Sequence, residues 1–353
     1  MENLSEQHVL LVKTSSLGDV IHAMPAVTEA AQHGCKITWV VEESFAQAAG
    51  LHPHVATVIP VAVRRWRKQR DSAARSEVRA FLRDLRSQRY DVVLDSQGLI
   101  KSALIGYFAR GKRMGFSHTV AREPWSAFFY EKRFSIPQGQ HAIARQRQLF
   151  AAALGYELQE QLPIGLPQAN NRTQEVVLLH GTTWETKHYP EAMWVGLARQ
   201  VAQEGYEVVL TWGNDAERER ADRIANAADV NVTDKLPLQD LSKILGRAAC
   251  VIGVDTGLSH LSAAMGTPTV GLYGPTSTEL TGCLGRYGVS LSTDLACAPC
   301  VSQSCTAYRG DPQTWSDEVV TPPCFARLTP DRVWQAAHVQ MQAANAAVLS
   351  GQD

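Results

Sequence analysis

A chain of 353 residues with 45% hydrophobic content is long enough for two packed cores, so two domains are the natural expectation. A formal net charge of −1 excludes a globally basic polyanion binder, and any cationic surface has to be local. No run of about eighteen apolar residues and no basic-apolar-small leader is present, which reads as a cytoplasmic protein that meets a membrane only from its surface.

The first half alternates elements of two periods. Residues 9–12, 37–41, 57–61 and 92–95 have strand character, and residues 20–32, 75–88 and 99–109 have helical spacing. That alternation predicts an α/β fold with a parallel sheet covered on both faces. Between the first strand and its helix lies Lys13-Thr14-Ser15-Ser16-Leu17-Gly18-Asp19, a sharp turn that leaves backbone N–H groups aimed at one point. Asp19 fits two roles there. One is charge stabilisation of the helix start, worth about 0.3–1 kcal/mol; the other is a general base, worth roughly 10²–10⁴ in rate. Ser15 and Ser16 line the same loop.

Arg64, Arg65, Arg67, Lys68 and Arg70 surround Trp66 directly after the third strand. A charge run is usually a solvated face, but this one falls at a strand's carboxyl end, where open α/β sheets bind ligands and where arginine forks suit phosphate or carboxylate. The arginines at 75, 79, 83 and 86 read as an exposed helix face. Residues 121–134 mix Trp125, Phe128, Phe129 and Tyr130 with Arg and Lys, a pattern of core packing with some lipid-side contact. Periodicity then breaks over residues 155–172, and residues 161–172 are taken as the linker between domains 1–160 and 173–328.

The second half restarts with strands at 176–180, 208–212, 249–254 and 268–272. The third of these runs into Asp255-Thr256-Gly257-Leu258-Ser259-His260 and a helical pattern, a second strand-to-helix junction suited to a phosphate. Asp255 is equally a helix N-cap by type. Two such junctions, one per half, predict two α/β domains facing one another across a ligand cleft. Neither half carries a G-x-G-x-x-G or a P-loop pattern, which counts against dinucleotide and P-loop nucleotide chemistry. A final helix at 330–349, within a last segment 329–353, is expected to pack back towards the first domain.

The run Val12-Lys13-Thr14-Ser15-Ser16-Leu17-Gly18-Asp19-Val20-Ile21-His22 and the motif 254–260 together resemble the bacterial lipopolysaccharide heptosyltransferases, closest to their heptosyltransferase I branch. Further blocks in the same order are Trp39-Val40-Val41-Glu42-Glu43, Asp95-Ser96-Gln97-Gly98-Leu99-Ile100-Lys101, Ala121-Arg122-Glu123-Pro124, His180-Gly181-Thr182-Thr183, Lys187-His188 and Tyr273-Gly274-Pro275-Thr276. The resemblance implies a GT-B glycosyltransferase of family 9, built of two Rossmann-like domains. It would transfer L-glycero-D-manno-heptose from ADP-heptose to Kdo2-lipid A, peripherally on the cytoplasmic face of the inner membrane. Heptosyl-Kdo2-lipid A or an autotransporter protein is an alternative acceptor, and a non-catalytic ADP-sugar-binding protein is a reading of another class.

By that resemblance Asp19 is the base and Lys187 neutralises departing ADP, with no cofactor required for catalysis. Thr182, Thr183, Glu217, Leu236, Asp255, Thr256, Gly257 and His260 would hold the donor, Glu217 on the ribose and Leu236 on the adenine. Ser15, Ser16, Gly18, Arg64, Arg65, Arg67, Lys68, Lys101, Arg122 and His141 would hold the anionic acceptor. Two features depart from the family. Trp184-Glu185-Thr186 precedes the lysine where a more polar run is expected, and Cys297, Cys300, Cys305 and Cys324 crowd the C-terminal part. The four cysteines fit either reduced free thiols or a structural tetrahedral zinc or iron site.

Overall fold

A computed structural model describes residues 7–69, 71–162, 165–169, 171–305, 313–316 and 318–350. Arg70 of the basic run, and Pro163 and Asn170 of the expected linker, lie outside them. The chain divides into two compact units, residues 1–167 and 168–353. Among the described residues no helix is long and apolar enough to cross a membrane.

In the first unit β1 (Gln7–Val12), β2 (Cys35–Glu42), β3 (Val55–Val61), β4 (Val92–Asp95), β5 (Lys112–Phe116) and β6 (Lys132–Phe134) form one parallel sheet in the order β3-β2-β1-β4-β5-β6. In the second, β7 (Glu175–Leu179), β8 (Glu207–Leu210), β9 (Asn231–Val232), β10 (Cys250–Val254), β11 (Thr269–Tyr273) and β12 (Gly288–Ser292) run parallel in the order β12-β11-β10-β7-β8-β9. Both are the Rossmann order. The chain starts at the centre, winds to one side, then returns to wind to the other. The central strands are apolar throughout because both their faces are covered: Val9 to Val12 and Cys250 to Ile252 are fully buried.

This topology locates the binding positions. In each unit the direction of winding reverses between the first and fourth strands, β1 and β4 or β7 and β10, and a crevice opens beyond their carboxyl ends. The loops that follow Val12, Asp95, Leu179 and Val254 are therefore the ones positioned for ligands, and they contain both junctions read from the sequence. Gly253 keeps β10 close to β7, since a Cβ there would run into Ser259 Oγ and Leu179.

The closing helix, Pro330–Ser350, has its buried face on the second unit, with Trp334, Ala337 and Met341 inside that unit's core. Its apolar face packs on the helix Glu191–Gln203 and the strands β10 to β12.

The first helix (Leu17–Gln32) packs on the helix Ala142–Leu154, and a buried ion pair ties them. Glu29, fully buried, accepts from Arg147 through both oxygens at 2.9 Å and from Gln159 N at 2.7 Å. Removing one partner leaves the other charge buried and uncompensated. Arg147→Met should therefore lower unfolding stability by about 3–5 kcal/mol, read from urea denaturation followed by circular dichroism.

Candidate functional site

The first helix begins at Leu17 with Ser16 as its N-cap, and Asp19 in its first turn reaches back to accept from Ser16 N at 2.8 Å. Lys13, buried at the end of β1, donates from Nζ to Asp19 Oδ1 at 3.4 Å and to Ser96 O at 3.3 Å. Burial would raise the Asp19 pKa, but the Lys13 ammonium, the Ser16 amide and the Arg122 guanidinium outweigh it and hold the carboxyl below its usual range. Asp19 is thus ionised at neutral pH, and its side chain keeps about 30% of its surface open.

The turn itself is held by Gln97. Its Oε1 accepts from Thr14 N and Ser15 N, both at 3.1 Å, so the loop after β4 braces the loop after β1. Asp95 supports that brace from below, accepting from Gln97 N, Gly98 N, Ser102 Oγ and Tyr130 OH. Lys13 and Gln97 are site residues that sequence reasoning missed as such. Their signal was their position, one at the end of a central strand and one just beyond its neighbour, and the topology supplied its meaning.

The basic run forms a short helix, Val63–Lys68, at the carboxyl end of β3. Arg64, Arg67 and Lys68 are exposed there. Arg65 is half-buried and paired: its guanidinium is held by Glu43 at 3.0 Å and Glu77 at 2.8 Å, and Trp66 Nε1 donates to the same Glu77 at 2.8 Å. Those two carboxylates raise the Arg65 pKa further. His141 Nδ1 accepts from Ile143 N at 3.2 Å and caps the helix Ala142–Leu154. Lys101 is half-buried in the first turn of the helix Ile100–Phe108, and Arg122 is exposed. Gly18 lies in the first turn with Asp19.

In the second unit Asp255 follows β10 directly and Thr256 caps the helix Gly257–Ala264. Lys187, from the loop after β7, donates to Asp255 Oδ2 at 2.7 Å, and its Nζ lies 4.5 Å from the centroid of the Trp184 ring. The departure at Trp184 therefore supplies an aromatic face to the lysine. His260 Nε2 lies 3.3 Å from Asp255 Oδ1, and its Nδ1 is 3.8 Å from Cys283 Sγ. Burial opposes charging His260, yet Cys283 and the Asp255 carboxylate lift its pKa to about 9. Burial likewise opposes the Asp255 charge, and His260 and Lys187 overcome it, holding that carboxyl far below its usual range. The result is a buried carboxylate with a cation on each oxygen, beside free helix amides.

Around it, Thr182 and Thr183 lie in the turn after β7. Glu217 accepts from Gly213 N at 2.7 Å and packs against Gly181, where a Cβ would meet its carboxyl at 2.7 Å. Leu236 is half-buried just before the helix Leu238–Arg247. Cys297, Cys300 and Cys305 are exposed and Cys324 is buried, all four lining one pocket with Thr186 and Pro275. Burial, then the neighbouring cysteines, pushes the Cys324 thiol up to about 12. Among the described residues no three His, Cys, Asp or Glu side chains are arranged to hold a metal, so the zinc or iron reading has no support in this arrangement.

The family model for glycosyltransferase family 9 (heptosyltransferase) matches residues 78–309. The chain belongs to glycosyltransferase family 9. It is 46% identical over 341 residues to lipopolysaccharide heptosyltransferase 1 of Pseudomonas aeruginosa, covering 92% of this chain and 95% of that protein. Among solved structures, Escherichia coli heptosyltransferase WaaC with ADP superposes at a TM-score of 0.76 with 41% identity, over 80% of this chain and 92% of WaaC. WaaC with ADP-2-deoxy-2-fluoro heptose gives 0.74 and 39%, over 81% and 93%. This family 9 chain is accordingly a glycosyltransferase with the GT-B architecture of two Rossmann-like units.

Because Lys13 depresses the Asp19 pKa, Lys13→Met should raise it towards the ordinary carboxylate value. A carbon-detected NMR titration of the Asp19 carboxyl checks this, and an unmoved midpoint would leave Ser16 N and Arg122 as the main influences.

Proposed function

We propose that this glycosyltransferase moves L-glycero-D-manno-heptose from ADP-heptose to a hydroxyl of the Kdo sugars of Kdo2-lipid A, with inversion, in building the lipopolysaccharide inner core. The support is the resemblance to heptosyltransferase 1 over nearly the whole chain and the fold shared with WaaC in its ADP and fluoro-heptose complexes. The observation that carries the chemistry is the ionised Asp19 at an open helix start, with Arg122 close enough to act on its charge.

In this reading Asp19 takes the proton from the acceptor hydroxyl as the oxygen attacks the anomeric carbon of the heptose. The bond from that carbon to the β-phosphate oxygen breaks, and ADP leaves with the electron pair. Negative charge grows on the departing diphosphate, where Lys187, the amides at Thr256 and Gly257 and the Thr182 and Thr183 hydroxyls stabilise it. Asp255 accepts from heptose hydroxyls. His260 remains as a counter-charge on Asp255 when the lysine turns to phosphate, so the carboxylate is never left bare. Glu217 binds the ribose hydroxyls and Leu236 packs on adenine. Ser15, Ser16, Gly18, Arg64, Arg65, Arg67, Lys68, Lys101, Arg122 and His141 receive the phosphates and carboxylates of the acceptor. The acceptor carries acyl chains, so the enzyme works at the cytoplasmic surface of the inner membrane as a peripheral protein.

A depressed pKa makes Asp19 a weak base that is fully ionised at neutral pH. Turnover should fall only when acid protonates it. The test is ADP release from ADP-heptose and Kdo2-lipid A by the purified protein. Asp19→Asn should lower kcat by about 10²–10⁴ while ADP still binds by calorimetry. Lys187→Ala should weaken ADP binding and kcat together. An Asp19→Asn enzyme turning over at the wild-type rate would remove the base assignment.

A further inference from the structure

The exposed apolar side chains of the first unit are concentrated rather than scattered. On the helix Ile100–Phe108 the outward positions Ile100, Leu104, Tyr107 and Phe108 form one stripe along its length. Beside it packs the short helix Pro124–Phe129, where Trp125 and Phe128 are 69% and 70% exposed. Their rings stack on each other at 5.6 Å, while Tyr107 meets Phe129 edge-on at 5.9 Å, so the two elements share one apolar face. Large aromatics held in the open on adjoining elements mark an interaction surface, not scatter.

Charge says what covers it. Arg113 lies over the Tyr107 ring at 5.4 Å, and Arg86 lies over Phe108 at 5.6 Å while donating to its carbonyl. Arg133 donates to Ala127 O at 2.8 Å. Glu131 pairs with Arg113, but the recess at the end of the stripe also gathers Arg89, Arg110 and Lys112 around that single carboxylate. An apolar centre with aromatic residues and a basic rim fits the interface of an anionic bilayer: rings enter the headgroup boundary, and guanidinium groups meet phosphates.

The patch is wired to the site. Glu123 Oε2 accepts from Ile100 N at 2.6 Å and Glu123 N donates to Gly98 O at 2.9 Å, so one tight loop carries Arg122, whose charge acts on Asp19, and Trp125 on the outer face. Gly98, at φ +69° and against Arg122 N, permits that close approach. We infer that the face made by the helices Ile100–Phe108 and Pro124–Phe129 seats the enzyme on an anionic lipid bilayer, next to the loop that receives the lipid-anchored acceptor. This rests on the membrane-surface reading above and names the surface that makes it.

The experiment is co-sedimentation of the full chain with vesicles of phosphatidylethanolamine and phosphatidylglycerol, against phosphatidylcholine alone. Wild type should bind the anionic vesicles, more weakly as salt rises. Trp125→Ala/Phe128→Ala should lose at least about tenfold in partitioning, the scale of burying one aromatic side chain. It should keep wild-type turnover on a water-soluble acceptor stripped of its acyl chains. As an independent measurement, spin-labelled lipid should quench tryptophan emission of wild type, and Trp125→Phe should abolish most of that quenching. Vesicle binding undiminished in the double variant and quenching unchanged in Trp125→Phe would overturn the proposal. So would a wild-type dimer in light scattering that the double variant dissolves without any vesicle binding. Loss of transfer to both acceptors by wild type, with vesicle binding through Trp125 intact, would count against the catalytic reading alone and leave the surface standing.

Discussion

A lysine drawn onto a carboxylate at the carboxyl end of the central strands is the interaction around which each unit's candidate site is built. In the first unit it is Lys13 on Asp19, and in the second Lys187 on Asp255. Both carboxylates lie where desolvation would favour the neutral acid, and both are kept charged: Asp19 by Lys13, the Ser16 amide and Arg122, and Asp255 by His260 and Lys187. The first pair spans a single strand-to-helix turn, and the second spans two: loops after the adjacent parallel strands β7 and β10 leave the same edge of the sheet, so Lys187 reaches Asp255 with no intervening element.

The two pairs differ in what else holds them. Asp19 has one buried lysine, a backbone amide and a nearby arginine, and much of its side chain remains open to a hydroxyl. Asp255 has a cation on each oxygen and is nearly enclosed. An open carboxylate suits proton transfer. An enclosed one suits fixed hydrogen-bond acceptance. The two carboxylates thus differ in exposure rather than in residue type.

Support outside these pairs is built the same way, by polar groups bracing loops. Gln97 fixes the turn that carries Ser15, and Asp95 fixes Gln97. Thr186 donates to Ser302 O at 2.6 Å, joining the lysine loop to the cysteine-bearing segment. Charge alone is a poor guide to such roles. Arg65 stands in the middle of a basic run, yet two glutamates from other elements take its guanidinium, and His141 serves a helix end.

Local sequence determined the elements of both cores and the two strand-to-helix junctions, because fully buried parallel strands must be apolar and the turns that follow them must be small and polar. The helices at residues 17–32, 72–85, 100–108 and 330–350 were legible for the same reason, whereas Ala142–Leu154 and Glu191–Gln203 were not read. The strands β5, β6, β9 and β12 were not legible, because strands as polar as Lys132–Phe134 or Asn231–Val232 carry no periodic apolar signal. Only the tertiary structure decided that Lys13 reaches Asp19 and Ser96, that Gln97 braces the first turn, that Arg65 pairs with Glu43 and Glu77, and that the last helix packs on the second sheet. Each depends on a partner distant in the chain: Ser96 for Lys13, Glu77 for Arg65, and Glu204, which accepts from Trp334 Nε1, for the closing helix. Spacing along a sequence records which faces are apolar, whereas the pairing of charges is settled by which loops the sheet order makes neighbours.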